Sequence, residues 1–316
     1  MKIRVLTPVA VATLSLWGTA PVWAEEGGAG HYVPGALATL IDLPPSKPGW
    51  AVEVAYLRYD GEAGRERTLP VAGLAAADLE ATSDAFMLGG FHTFEKPVLG
   101  AWYSVGLFLP WVAMDVEATV TTSLGSRSRR DTENGLGDMT LLPIMLGWKK
   151  DDLQFDAVLS VYAPTGDYEA GRLANPGRNH WTFDPTIGVS YNGSKNGFNA
   201  AIHTGIAMNT ENDETDYRSG SVWHVEASVQ QLLPVGSGFL GVGFNAFYYD
   251  QFTGDSGSGA TLGDFEGMTV GVGPVLNYVL PCGEDTLVIE GRWLPELDTR
   301  NRTEGDFFWL KVVFQF

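Results

Sequence analysis

Charge, cysteine and long apolar runs are all scarce in this 316-residue chain. Charged residues make up 18%, against the ~25% of an ordinary soluble domain, which disfavours disorder, coiled coils and charged helical bundles. One cysteine, Cys282, excludes a disulfide scaffold or a cysteine-rich metal site. Basic residues are outnumbered 20 to 38, and the net charge of −18 repels polyanions, so a nucleic-acid partner is not expected. No Gly-x-Ser-x-Gly, His-Glu-x-x-His or Walker loop is present, and the five histidines (His31, His92, His180, His203 and His224) are scattered, so no catalytic residue, metal or cofactor is expected. Glycine, at 39 residues, and aromatics, at 12%, are what the chain has in plenty.

The N-terminus reads as an export signal. Lys2 and Arg4 precede an apolar run from Val5 to Trp17, and Val22-Trp23-Ala24 supplies small or medium residues at the −3 and −1 positions of a signal-peptidase site. Cleavage after Ala24 would leave 18 basic and 38 acidic residues, a charge of −20. The run is shorter than the ~20 residues a membrane-spanning helix needs. No later stretch has 18 uninterrupted apolar residues, so a mature chain that crosses a membrane must do so with strands.

From Gly49 onward, segments with a period of two alternate with segments rich in Gly, Asp, Asn, Ser and Pro, the pattern of strands and turns. Trp50, Val52, Val54 and Tyr56 share one face, and Ala51, Glu53 and Ala55 the other. The C-terminal segment alternates Phe308, Leu310, Val312, Phe314 and Phe316 with Trp309, Lys311, Val313 and Gln315. About twelve such segments are present, with fourteen as the alternative count. Short connections near residues 95–99, 149–152, 193–196, 234–237 and 281–284 alternate with long ones at 60–83, 121–135, 164–180, 210–219, 251–264 and 298–303. These features predict an all-β fold: a transmembrane antiparallel β-barrel over 49–316 with short periplasmic turns and long extracellular loops, placed in the cell outer membrane. A chain ending in Phe-Trp-Leu-Lys-Val-Val-Phe-Gln-Phe resembles the C-terminal strand of Gram-negative outer-membrane barrels, and the strand ending at Phe316 is the element through which the outer-membrane assembly machinery would be engaged.

In such a barrel the polar residues of each strand face the lumen. The predicted lumen or substrate path holds Glu53, Asp156, His203, His224, Glu226, Glu290, Arg292, Lys311, Tyr162 and Trp309. They either balance one another as buried ion pairs or line a permeation path and set its selectivity. With strands ~4.8 Å apart, twelve strands leave a lumen about 10–14 Å wide, enough for a small molecule. Residues 25–48 are too rich in proline to pair in a sheet. Their stretch Ala36-Leu37-Ala38-Thr39-Leu40-Ile41 suits a lumen plug or a periplasmic cap better than a solvated leader. The loop Glu211-Asn212-Asp213-Glu214-Thr215-Asp216 lacks calcium-binding spacing and reads as a solvated acidic loop.

Three runs carry a family resemblance: Gly135-Leu136-Gly137-Asp138 with Leu142-Pro143-Ile144 and Gly147-Trp148; Ala163-Pro164-Thr165-Gly166-Asp167-Tyr168; and Gly177-Arg178-Asn179-His180-Trp181-Thr182-Phe183-Asp184-Pro185. Together with His31-Tyr32-Val33-Pro34-Gly35, Pro44-Pro45 and Gly49-Trp50, they resemble the phenol meta-pathway degradation family of outer-membrane proteins. The resemblance implies a barrel for small hydrophobic or aromatic compounds, in contact with membrane lipid and lipopolysaccharide, and it carries no catalytic residue. Two other functions are weighed against that channel. One is a lipid-modifying enzyme using His180 or His203, and the other is an interaction barrel whose acidic loops bind cations bridging lipopolysaccharide.

Overall fold

The computed structural model describes residues 30–122, 125–263 and 265–316; the predicted export signal lies outside them. The described chain forms thirteen β-segments: β1 (Gly49–Val71), β2 (Leu74–Thr93), β3 (Trp102–Thr122), β4 (Gly125–Leu136), β5 (Met139–Lys150), β6 (Leu153–Ala163) and β7 (Thr182–Asn192) in the first half. The second half contributes β8 (Phe198–Asn209), β9 (Val222–Val235), β10 (Gly238–Gln251), β11 (Met268–Cys282), β12 (Asp285–Arg300) and β13 (Glu304–Gln315). All pair antiparallel with their neighbours in sequence, except that β3 takes both β4 and β5 along its length. The β1–β13 and β1–β2–β3 pairings close the sheet on itself. Twelve strands form the ring, and β4 continues along the upper part of β3. Closure leaves no edge in the ring itself, which is what allows a β-structure to sit in hydrocarbon; β4 and the part of β1 beyond Glu62 each pair on one side only.

The alternation along each strand sorts as expected. Trp50, Val52 and Val54 are 54%, 42% and 51% exposed, whereas Ala51 and Ala55 are buried. Phe86, Leu88, Trp111, Phe155, Ile187, Phe244, Trp293 and Leu310 continue the exposed apolar surface around the ring. So large a continuous apolar belt is incompatible with water and marks the lipid-facing wall of an outer-membrane barrel.

Two expected loops are strands. The segments at 60–83 and 121–135 belong to β1–β2, which turn at Ala72-Gly73, and to β3–β4. Both turn residues of the first hairpin have positive φ, 46° and 82°, the geometry of a type I′ connection. The apolar alternation lapses above Tyr59 because the outward face there carries Asp60 and Glu62, paired with Asp306 and Glu304. Backbone pairing nevertheless runs on to Val71 and Leu74. The upper ends of these hairpins bury Leu69, Val71, Leu79, Val116 and Val120 against Leu173, Ala174 and Phe265 from the long loops.

Between β4 and β5 the strand is interrupted at Gly137-Asp138. Gly137 donates its amide to Pro110 O (2.9 Å), and the register against β3 slips by one residue there. The loop that follows β6 packs on this break. Thr165 Oγ1 accepts from the Met139 amide (2.9 Å), Asp138 Oδ1 from the Gly166 amide (2.9 Å), and Leu136 O from the Asp167 amide (2.8 Å). Pro164-Thr165-Gly166 thus leaves the top of a strand and is tied back onto the neighbouring wall.

Candidate functional site

Residues 30–48 thread through the interior, and the charged side chains that hold them stand mainly on β9, β12 and β13. Glu226 Oε1 on β9 accepts from the Tyr32 hydroxyl (2.8 Å) and the amides of Gly35 (3.1 Å) and Leu37 (3.3 Å). Arg292 on β12 donates to Gly35 O (2.6 Å), Thr39 Oγ1 (2.6 Å) and Asp42 Oδ2 (2.8 Å), and pairs with Glu290. Lys311 on β13 donates to Gly35 O (3.1 Å) and to Asp42. Trp309 Nε1 donates to Pro34 O (2.9 Å), the Ser228 hydroxyl to Ala38 O, and Gln154 Nε2 to Pro44 O (2.8 Å). Gly35 has φ +88° and lies against the Trp309 indole and Leu294, where a Cβ would collide, so only glycine lets the chain pass there. Buried charges are tolerable only when paired and hydrogen-bonded. The strands supply Arg292 and Lys311, and the N-terminal segment answers with Asp42.

Two histidines span the wall in the same way. His203 on β8 lies across Gly188 of β7 to approach Asp156 on β6 (3.4 Å). His224 on β9 lies across Gly205 of β8 to reach Asp184 on β7 (2.9 Å). Each glycine leaves the room the imidazole occupies. Tyr32 stacks on His224 with ring centroids 3.8 Å apart. Gly205→Val is expected to break the His224–Asp184 bond and to lower barrel stability by ~1–3 kcal/mol through overpacking, read as a lower urea midpoint with an unchanged slope.

His31 holds the upper end of the N-terminal segment. Its Nδ1 lies 2.7 Å from Thr182 Oγ1 and its Nε2 2.9 Å from Asp138 Oδ2. The Thr182 hydroxyl donates to Asn209 Oδ1 (2.6 Å), so both ring nitrogens of His31 face acceptors. Burial pushes the Asp138 carboxyl upward, but the bond from His31 and the amides of Gly166 and Arg178 bring it below its ordinary range. Thr182, His31 and Asp138 share the connectivity of a nucleophile, base and acid. Thr182 is fully buried and its proton is committed to Asn209, so the set is a brace. Among the described residues, neither His180 nor His203 is hydrogen-bonded to a serine or threonine hydroxyl, and no three His, Cys, Asp or Glu side chains converge as metal ligands.

The opposite side of the interior is apolar and open. A cavity of about 390 Å³ lies between residues 30–43 and the inner faces of β1 to β6. Leu57, Met87, Phe91, Phe108, Val112, Leu142, Met145 and Val158 line it, and apolar side chains supply most of its surface, with charged and polar groups between them. Its volume is within the range of small-molecule sites. Two apolar clusters bound it: Ile41 with Phe91, Leu142, Met145 and Val313 at the end nearer the short turns, and Leu173 with Leu79 and Val116 at the other.

All ten predicted lumen residues point inward. Glu53, Tyr162, Trp309 and Lys311 line the cavity. Arg292 and Lys311 converge on Asp42 while Glu290 pairs with Arg292, Glu226 binds the N-terminal backbone and Tyr32, and Asp156, His203 and His224 form the cross-strand pairs. Sequence reasoning missed Asp42, Thr39, Tyr32 and His31, which lie in a proline-rich stretch without periodicity, and Asp138 and Asp184, which lay inside the family-like motifs. No charge imbalance in the predicted set signalled them: it holds Glu53, Asp156, Glu226 and Glu290 against Arg292 and Lys311, and Glu290 lies opposite Lys311 in register.

Residues 64–312 match the family model described as "Putative MetA-pathway of phenol degradation". The chain belongs to this family. The barrel is also similar to the COG4313 outer membrane channel from Pseudomonas putida F1, at 16% identity over 90% of this chain and 100% of that one, with a TM-score of 0.63. More distant are the β-domain of the Bordetella autotransporter BrkA (11% identity, 84% and 99% of the two chains, TM-score 0.46) and the transport unit of the Escherichia coli autotransporter AIDA-I (9%, 88% and 93%, 0.47). At these identities the likeness to solved structures concerns the fold. No curated protein matches the sequence.

Proposed function

We propose that this member of the phenol-degradation family is an outer-membrane channel, and not an enzyme, that passes small hydrophobic or aromatic compounds by passive or facilitated diffusion. The observation that carries the reading is the apolar cavity inside a lipid-embedded barrel. A water-filled pore would have a polar lining, whereas this one offers aliphatic and aromatic side chains over most of its surface. The family match and the fold shared with an outer membrane channel support the same reading.

Residues 30–48 act as a plug. Glu226, Glu290, Arg292 and Lys311 hold it on the β9–β13 side, the His203–Asp156 and His224–Asp184 pairs stiffen the wall behind it, and solute passes on the β1–β6 side beside Glu53, Tyr162, Trp309 and Lys311. The exposed apolar belt contacts lipid, the charged band above it contacts lipopolysaccharide, and the strand ending at Phe316 engages the assembly machinery.

Phenols cross plain phospholipid readily, so the test uses planar bilayers with lipopolysaccharide in one leaflet. Phenol or toluene flux above that of protein-free bilayers is the expected result. Flux equal to the protein-free control would sink the reading.

A further inference from the structure

Most charged side chains on the cavity wall already have a partner: Lys311 has Asp42, Asp138 has His31, Asp184 has His224 and Arg302 has Glu296. Arg178 is different. It lines the cavity, is half-buried, and its guanidinium makes no ion pair or hydrogen bond among the described residues. Its backbone is nevertheless fixed at both ends, the amide donating to Asp138 Oδ2 (2.6 Å) and the carbonyl accepting from His180 Nδ1 (3.1 Å).

Two further groups on the same cavity wall, both in ring contact with His31, are unused. The Tyr162 hydroxyl has no hydrogen-bond partner among the described residues, although the ring is held by stacking on His31 (5.0 Å, 12°). His180 lies edge-on to the same His31 (5.0 Å). Because a carbonyl only accepts, the His180 proton sits on Nδ1, which leaves Nε2 as an acceptor. Burial, with His31 and Arg178 adding to it, pushes His180 down to about 3, so the ring stays neutral. A cation, a hydroxyl and a neutral acceptor therefore line the cavity where it meets the long loop after β6.

We propose that Arg178, Tyr162 and His180 form a head-group site for a solute that carries a carboxylate on an apolar body. The carboxylate is taken by the Arg178 guanidinium, the group best matched to it in shape and charge, and by the Tyr162 hydroxyl as second donor. A hydroxyl on the solute donates to His180 Nε2. The apolar body lies in the cavity toward Phe108 and Leu142. The inference rests on the channel reading above and adds an order of preference to it, with apolar acids ahead of neutral or cationic solutes of the same size.

Isothermal titration of the purified full chain in neutral detergent, with benzoate, 4-hydroxybenzoate, phenol and benzylamine at pH 7.5, tests this. Both acids are expected to bind about tenfold or more tightly than phenol, since a charge-assisted bond contributes roughly 1.5–3 kcal/mol, and benzylamine is expected to bind weakest. Arg178→Gln should remove that advantage while leaving phenol within about twofold of its wild-type affinity. Tyr162→Phe, which keeps the ring and its stack, should weaken the acids several-fold. Acids that bind no better than phenol would overturn the site, as would acid affinity indifferent to Arg178→Gln in a barrel that keeps its heat-modifiable gel mobility. In either case phenol binding would leave the channel reading intact, whereas failure of all four solutes to bind would contradict both.

Discussion

Replacing Arg292 by methionine is expected to release residues 30–48 from the barrel wall and to lower stability by about 3–5 kcal/mol, because it leaves the buried Glu290 without its cationic partner and Asp42 with one cation instead of two. Glu290 loses its guanidinium and keeps only the Thr39 hydroxyl and the Asn277 amide, and Asp42 keeps Lys311 and the Thr39 hydroxyl and amide. The Gly35 carbonyl and Thr39 hydroxyl lose their guanidinium donors in the same step. Limited proteolysis checks the release: cleavage within 30–48 should become faster in the variant while the barrel core stays resistant. Arg292→Met combined with Glu290→Met removes the charge imbalance at one of the two carboxylates. It should recover part of the loss, which separates burial of an unpaired charge from loss of side-chain packing.

Deleting residues 30–48 is expected to raise ion conductance by at least about tenfold, since a twelve-stranded ring without an internal segment encloses a lumen wide enough for hydrated ions. The strands should survive the deletion. β1 begins at Gly49 and its pairing with β13 and β2 involves residues from Gly49 onward. The charges that held the segment, Glu226, Glu290, Arg292 and Lys311, would then face water, where their desolvation cost disappears. Planar-bilayer recordings of the intact and shortened chains read the difference directly. Equal conductance would mean that residues 30–48 do not obstruct the lumen.

Much of the wall was legible because lipid on one side and a packed interior on the other impose a period of two. Trp50, Val52 and Val54 had to face hydrocarbon, and Glu53 could not. The same rule located Glu226, Glu290, Arg292 and Lys311. It failed above Tyr59 and around residues 121–135, where headgroup and solvent lie outside and charged residues sit on both faces of paired strands. Backbone pairing there leaves no trace in hydropathy. The interior segment was harder still. A proline-rich chain held by carbonyl and amide bonds to Glu226, Arg292, Lys311 and Trp309 has no periodicity to read, and its partners lie about 190 to 280 residues away in sequence. The His31–Asp138 pair was hidden for the same reason, since His31 belongs to the interior segment; His224 and Asp184 sit on next-nearest strands and meet only because Gly205 between them has no side chain.

The central claim is that solute passes through the apolar cavity on the β1–β6 side. Val158 and Leu142 both line it, and tryptophan at both positions should fill it while leaving the polar anchors of the N-terminal segment in place. The direct measurement is the initial uptake rate of radiolabelled phenol, at low external concentration, by Gram-negative cells displaying either the wild-type barrel or Val158→Trp with Leu142→Trp at matched outer-membrane levels. Uptake above barrel-free cells in the wild type, falling to that baseline in the filled variant, is the result this account requires. Uptake by the filled variant equal to that of the wild type would contradict it.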